Sequence, residues 1–256
     1  QARQPATITT PGSAFVQDAG AHVILIDAGG STALSNTMGQ LTSSLKMSGY
    51  DPKDISVVLL THLHPDHIGA LAQDGEMVFP NAQVYASTAE TSHWLSPNRS
   101  GSEIPFYQGA SVALAPYQKA GQFHTFSPNS APIPGIQALS SPGHTPGHSS
   151  FRVRSEGESL VFWGDVVYNP ALQFSDPLIS VDFDMDLAKA RLARLKALQD
   201  AARTGEWVAG AHMPFPGIGQ VLSIGKNSFR WQPIEYSRAL PKNAHQTENG
   251  APPIKQ

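Results

Sequence analysis

The sequence predicts an α/β protein in which two mixed β-sheets pack face to face with helices on both outer surfaces, an αββα sandwich. Three observations carry this expectation. Apolar, β-branched runs of strand length alternate with segments of helical period, as strand-strand-helix-strand-helix before residue 120 and loosely again after it. The chain has 256 residues, 40% of them hydrophobic and 14% charged, which suits one sizeable globular domain and not a disordered chain. Histidines and aspartates recur just after the strand-like runs, in glycine-containing turns, so the sandwich would bring them to one sheet edge.

Taken in order, residues 14–16 and 22–26 are apolar runs split by Asp18-Ala19-Gly20 and read as a hairpin. It ends in Asp27-Ala28-Gly29-Gly30, where Asp27 is either a turn residue or a carboxylate that orients metal-binding histidines. Met38, Leu41 and Leu45 predict a helix over 36–49, stopped by Gly49. A buried strand over 55–60 enters Thr61-His62-Leu63-His64-Pro65-Asp66-His67, and a helix is expected to start at Ile68. A strand over 83–86 precedes a helix that carries Trp94 and is capped by Ser87 or Thr88. Residues 96–105 read as a polar loop and 106–120 as a helix with Phe106, Tyr107, Val112, Leu114 and Tyr117 at its apolar positions.

A strand over 136–139 runs into Ser141-Pro142-Gly143-His144-Thr145-Pro146-Gly147-His148, a loop stiffened by its prolines and glycines. Residues 151–153 and 160–163 form the arms of a hairpin that ends in Gly164-Asp165. Ala188, Leu192, Leu195, Leu198 and Ala202 share one face of the clearest helix, 185–203, which Thr204-Gly205 ends. A last buried strand, 207–209, leads to Gly210-Ala211-His212. One domain is expected over 1–240 and a flexible tail over 241–256, where apolar residues are scarce.

Composition excludes several functions. A net charge of −3 leaves no electrostatic footprint for nucleic acid. No apolar run approaches the ~20 residues that span a bilayer, so no membrane partner is expected. The absence of cysteine removes disulfides, thiolate metal sites and a cysteine nucleophile. No signal-peptide pattern is visible over 1–11, and a trimmed start would look the same.

His62, His64, Asp66 and His67 fall within six positions. Packed this tightly they would repel one another if protonated, and would be costly to bury without a partner. Imidazole and carboxylate suit zinc and similar divalent ions. Alternation along the loop can send His62 and His64 to one metal and leave Asp66 and His67 to face a second. His144, Asp165 and His212 complete a set of five histidines and two aspartates, enough for two metals and a shared water.

This order, HLHPDH, then a glycine-flanked histidine, then GD, then a late histidine, resembles the metallo-β-lactamase superfamily. The resemblance implies that His62, His64 and His144 bind one metal, Asp66, His67 and His212 the other, and that Asp165 bridges them. THLHPDHIGAL, FPNAQVYAS, PFYQGA, PYQKAGQF, PGIQALSSPGHTPGH and AHMPFPGIG are further similar to the methyl parathion hydrolase group of that superfamily, over 12–236. Members of that group usually carry an earlier hairpin before the point where this chain begins.

What the resemblance implies is a binuclear hydrolase of neutral small molecules: lactones, aryl esters and organophosphate triesters. Two divalent ions, zinc foremost with manganese, cobalt or iron as alternatives, would hold a bridging hydroxide. Asp165 would hold the metal spacing and Asp66 would take a proton from the nucleophile. His148 reads as an orienting or structural residue. Leu34, Trp94, Phe106 and Phe183 stand where the family lines its substrate pocket. Tyr168 follows Asp165 by three residues. The methyl parathion hydrolases often place a histidine there, whereas related acyl-homoserine lactonases place a tyrosine whose hydroxyl serves the lactone carbonyl or oxyanion. A homodimer and a periplasmic or secreted location also follow from the resemblance. Two alternatives remain open: a dedicated acyl-homoserine lactonase and an iron-dependent oxidoreductase on the same scaffold.

Overall fold

The computed structural model describes residues 10–20, 22–96 and 101–235, so the tail expected over 241–256 lies outside the described residues. β1 (Phe15–Asp18) and β2 (Val23–Ile26) form the expected antiparallel hairpin. α1 (Leu41–Met47) is shorter than the helix expected over 36–49. The preceding residues are spent on turns, with Leu34 N–H donating to Ser31 O and Gly39 N–H to Gly30 O. Gly39 itself lies at φ +82°, outside helical geometry.

β3 (Ile55–Leu59) then delivers the histidine motif. The helix expected from Ile68 instead ends there. α2 (Pro65–Ile68) begins inside the motif, because Pro65 presets the first helical φ, and it carries Asp66 and His67. A small ribbon, β4 (Ala72–Gln73) with β5 (Glu76–Met77), leads to β6 (Gln83–Ser87) and α3 (Thr88–Trp94). Ser87 caps α3 by accepting from Glu90 N–H. α4 (Ile104–Ala120) starts two residues earlier than expected, with Pro105 in its first turn, where a missing N–H is harmless.

β7 (Phe123–Phe126) was not legible as a strand; its FHTF sequence holds a single fully buried residue, Phe126. In the second half, β8 (Ile136–Ser140), β9 (Ser149–Ser155) and β10 (Glu158–Phe162) form an antiparallel meander. α5 (Pro170–Gln173) precedes α6 (Leu187–Thr204). α6 begins two residues later than expected because Met185 N–H and Asp186 N–H donate to His144 O and Gly143 O. It ends on Gly205 at φ +71°, a left-handed cap. β11 (Trp207–Ala209), β12 (Ile218–Gly225) and β13 (Ser228–Pro233) complete the described chain.

One sheet has the order β1-β2-β3-β6-β7, parallel except for its edge strand β1, and the other has β13-β12-β11-β10-β9-β8, antiparallel except for β10 with β11. Side chains alternate across each strand. Ile24, Ile26, Val57 and Leu59 therefore meet Ala138, Phe151, Phe162 and Ala209 between the sheets. Leu25, Val58 and Val84 turn the other way onto Leu45 of α1 and Leu114 and Tyr117 of α4. Val161, Val208 and Val221 pack outward on Leu198 and Ala201 of α6. These three apolar layers make the αββα sandwich, with mixed sheets as the sequence predicted.

Candidate metal centre

The loops after β3, β8, β10 and β11 open at the same end of the two sheets. Ser149 N–H donates to Thr61 O at 2.9 Å, tying the sheets together at that edge. His62, His64 and His144 form one buried group. Asp66, His67, Asp165 and His212 form a second. Within each group the ligand-type atoms all lie within 4.8 Å of one another. Asp165 touches both: Oδ1 is 3.0 Å from His67 Nε2, while Oδ2 is 2.9 Å from His212 Nε2 and 3.2 Å from His144 Nε2.

The outer nitrogens of four of these rings, His62, His67, His144 and His212, are already committed. Carboxylates and carbonyls only accept, so His67 Nδ1 donates to Asp27 Oδ2 at 2.8 Å, His144 Nδ1 to Asp184 Oδ1 at 3.1 Å, and His212 Nδ1 to Pro11 O at 2.6 Å. Thr61 donates its hydroxyl to Asp27, which leaves it accepting from His62 Nδ1 at 3.0 Å. Each of these four rings, when neutral, turns the lone pair of Nε2 inward, toward other lone pairs and two carboxylates, while His64 brings its Nδ1 to 3.0 Å from His144 Nε2. His62 Nε2, His67 Nε2 and Asp165 Oδ1 are buried with no hydrogen-bond partner. A donor set of this kind, imidazole and carboxylate with their outer sides hydrogen-bonded, fits a divalent cation in each group.

Electrostatics point the same way. Burial lowers His62 and His64 far below the ordinary histidine range, with neighbouring histidines adding to the effect. Burial acts against the charged forms of His67, His144 and His212 too, but Asp165, joined by Asp66 and Asp27 at His67, by Asp184 at His144 and by Asp66 at His212, more than offsets it and raises all three, His144 to about 9. Burial would raise Asp165, yet His212 and His67 hold it well below the usual carboxylate range. The centre thus demands positive charge, supplied by protons when no metal is bound.

His148 takes no place in either group. Its Nε2 accepts from Asp165 N–H at 3.0 Å and its Nδ1 faces Ser141 Oγ at 2.8 Å. Burial first, then the charge of His144, lowers it to about 3, so it is a neutral brace for the Asp165 backbone.

Around the centre, the Phe106 ring lies tilted at 5.3 Å from His64, and Tyr168 lies 4.3 Å from His212 and 5.6 Å from Phe183. Leu34 and Phe183 are about half exposed, at 49% and 51%. Trp94 is 1% exposed and belongs to the core beneath His64, its ring 5.4 Å from that imidazole. Three buried charges escaped the sequence reading: Glu90, Asp184 and Arg194. The spacing Ser87-x-x-Glu90 was a signal for the first. Nothing local marked the other two.

A family model described as the Metallo-beta-lactamase superfamily matches residues 8–212. An N-acyl homoserine lactonase of Bacillus cereus is 28% identical over 167 residues, 61% of this chain and 56% of its own. The N-acyl homoserine lactonase AttM of Agrobacterium fabrum is 29% identical over 117 residues, 43% of this chain and 40% of its own. The chain thus spans 56% of the length of the first of these curated relatives and 40% of the second. Among solved structures, the hydrolase AbOPH of the beta lactamase superfamily aligns with a TM-score of 0.88 at 37% identity, over 92% of this chain and 83% of that one. AidC, a dizinc quorum-quenching lactonase, aligns at 0.80 and 25% identity, over 87% and 79%. With a family match across most of its length and this fold, the chain belongs to the metallo-β-lactamase superfamily.

Proposed function

We propose that this protein is a binuclear metal-dependent hydrolase of neutral esters, acting on lactones and aryl esters and accepting organophosphate triesters. The observation that carries the reading is the pair of adjoining groups, one of three histidines and one of histidines and aspartates, in which the inward atoms His62 Nε2, His67 Nε2 and Asp165 Oδ1 are buried without a hydrogen-bond partner. In this reading His62, His64 and His144 hold one ion, Asp66, His67 and His212 the other, and Asp165 serves both. Two bound divalent ions, zinc foremost, supply Lewis acidity for activating water and polarising the substrate oxygen.

The protein's own residues then divide the remaining work. Asp66 is the more open carboxylate of the centre, with 20% of its side chain exposed against 1% for Asp165, which suits it to receive the proton of the attacking water. Leu34, Phe106 and Phe183 supply an apolar rim for a compact uncharged substrate. Tyr168, half-buried between His212 and Phe183, offers a hydroxyl to the developing oxyanion. A homodimer and an exported location belong to the same proposal on family resemblance alone.

A second reading, a dedicated acyl-homoserine lactonase, is favoured by Tyr168 and by relatives that carry that name. Paired steady-state kinetics on one metal-replete preparation separate the two. The probes are an acyl-homoserine lactone, an aryl ester and methyl paraoxon. Turnover of all three supports the broad hydrolase; turnover of the lactone alone supports the dedicated lactonase. No turnover of any, with two metals bound, would sink both.

A further inference from the structure

Glu90 stands on α3, outside every loop that carries a candidate ligand, yet its carboxylate is fully buried against two of them. In a capping box the acid three residues past the cap reaches back to the cap's own N–H. Here it turns away. Oε1 accepts from Leu63 N–H at 3.0 Å and from the Trp94 indole N–H at 2.6 Å. Oε2 accepts from the Thr145 hydroxyl and from Gly147 N–H, both at 2.8 Å. Leu63 separates His62 from His64, and Thr145 follows His144. One carboxylate therefore grips both loops that supply the first histidine triad.

The surroundings are built for that grip. A Cβ on Gly147 would lie 2.1 Å from Glu90 N, so only glycine lets the loop approach the helix so closely. The Ser87 hydroxyl closes the contact from the other side, donating to Gly147 O at 2.7 Å. Four donors converge on Glu90, and an ionised carboxylate has the lone pairs to accept them all. Asp66 and His67 are held from a different direction: Ala28 N–H donates to His67 O and Gly69 N–H to Gly29 O.

We infer that Glu90 is a positioning residue for the metal held by His62, His64 and His144, and not for the metal at the second group. The inference rests on the two-metal reading above. An acid that merely stabilised the fold would affect both ions alike.

Glu90→Gln tests it. Whichever way the amide turns, its NH2 meets a backbone N–H, that of Leu63 on one side or Gly147 on the other. Chelator-stripped wild type, Glu90→Gln, His144→Ala and His212→Ala would be titrated with Co2+ and followed by visible absorption. Wild type should take two ions. Glu90→Gln should bind one of them about 10–100-fold more weakly, keep the other at wild-type affinity, and at one equivalent reproduce the spectrum of His144→Ala rather than that of His212→Ala. Equal weakening of both sites, or none, would overturn the positioning role and leave the two-metal reading standing. A wild type that takes fewer than two ions would overturn that reading and the inference with it. If Glu90→Gln does not fold, Thr145→Val removes one of the four donors and should weaken the same site more mildly; an unchanged first site would refute the inference.

Discussion

Asp27 Oδ2 accepts hydrogen bonds of 2.8 Å from both His67 Nδ1 and the Thr61 hydroxyl, and Thr61 in turn accepts from His62 Nδ1. One carboxylate thus sets the tautomer of a histidine in each metal-binding group. Asp27 adopts φ +58°, an uncommon conformation for a residue other than glycine, right at the end of β2. The backbone cost, of order 1–3 kcal/mol, is borne where it aims a carboxylate at the centre.

Asp27→Asn should therefore damage metal binding more than folding. An amide has one oxygen for the three donors that Asp27 satisfies, which include Thr61 N–H at 2.8 Å. Zinc competition against a chromophoric chelator should show a loss of about 10–100-fold. Wild-type affinity in the variant would mean that these hydrogen bonds do not orient the ligands.

Proton and metal should compete openly. Burial pulls His144 down, but Asp165 and Asp184 push it from 6.5 up to about 9, and His67 and His212 are raised as well. At pH 7 the metal-free centre therefore carries protons that a divalent ion must displace. Metal binding should release protons, and apparent affinity should climb between about pH 6.5 and about 9. For the metal-free protein the sign is opposite: the His144 contribution to stability is complete below about 6.5 and lost as pH rises through about 9. Calorimetric titration in two buffers of different ionisation enthalpy checks the first statement, and urea midpoints against pH check the second. Binding without proton release would contradict both.

Arg194 should be critical for stability. It is buried in mid-α6 and donates to Val166 O, Pro177 O, Ile179 O and Asp184 Oδ2. Burial raises Asp184, but His144 and Arg194 more than offset this and hold it below the usual carboxylate range. Arg194→Met would take the guanidinium from buried Asp184 and leave Val166 O and Pro177 O without their donor, at a cost of about 3–5 kcal/mol. Arg194→Lys should recover only part, because an ammonium cannot reproduce the fork. Urea unfolding of both variants measures this; a loss under about 1 kcal/mol would contradict it.

Gly143→Ala should misplace His144. Gly143 lies at φ +137°, and a Cβ there would fall 2.1 Å from Ala190 N in the α6 backbone. Neither partner is a flexible side chain, so loop and helix must separate. A loss above about 3 kcal/mol is expected, at the upper end for single substitutions, with weakened metal binding. Full stability and full metal content would show that the loop has slack.

The seven candidate ligands were legible because strand-end position and residue type are local properties, and the fold only had to bring those ends together. The chain did so along one edge. The residues that brace the ligands were less legible. Asp184 meets His144 across 40 residues and Arg194 meets Val166 across 28, and neither pairing has a local pattern. Asp27 was readable because a carboxylate at a strand end before glycines is itself a local feature. β12 and β13 were missed for a different reason: half or more of each strand faces solvent or the rim, so neither has the apolar run that marked β3. α2 was misplaced because four residues are too few for a periodic signal.

If two metal ions held by these seven residues carry the proposed hydrolysis, activity must follow metal loading. Chelator-stripped protein titrated with Zn2+, with lactone and aryl-ester hydrolysis followed at each addition, tests it most directly. Activity should be absent at the start and fully restored at two equivalents per chain, and His64→Ala should prevent the recovery. Activity that survives stripping, or that is complete at one equivalent, would contradict it.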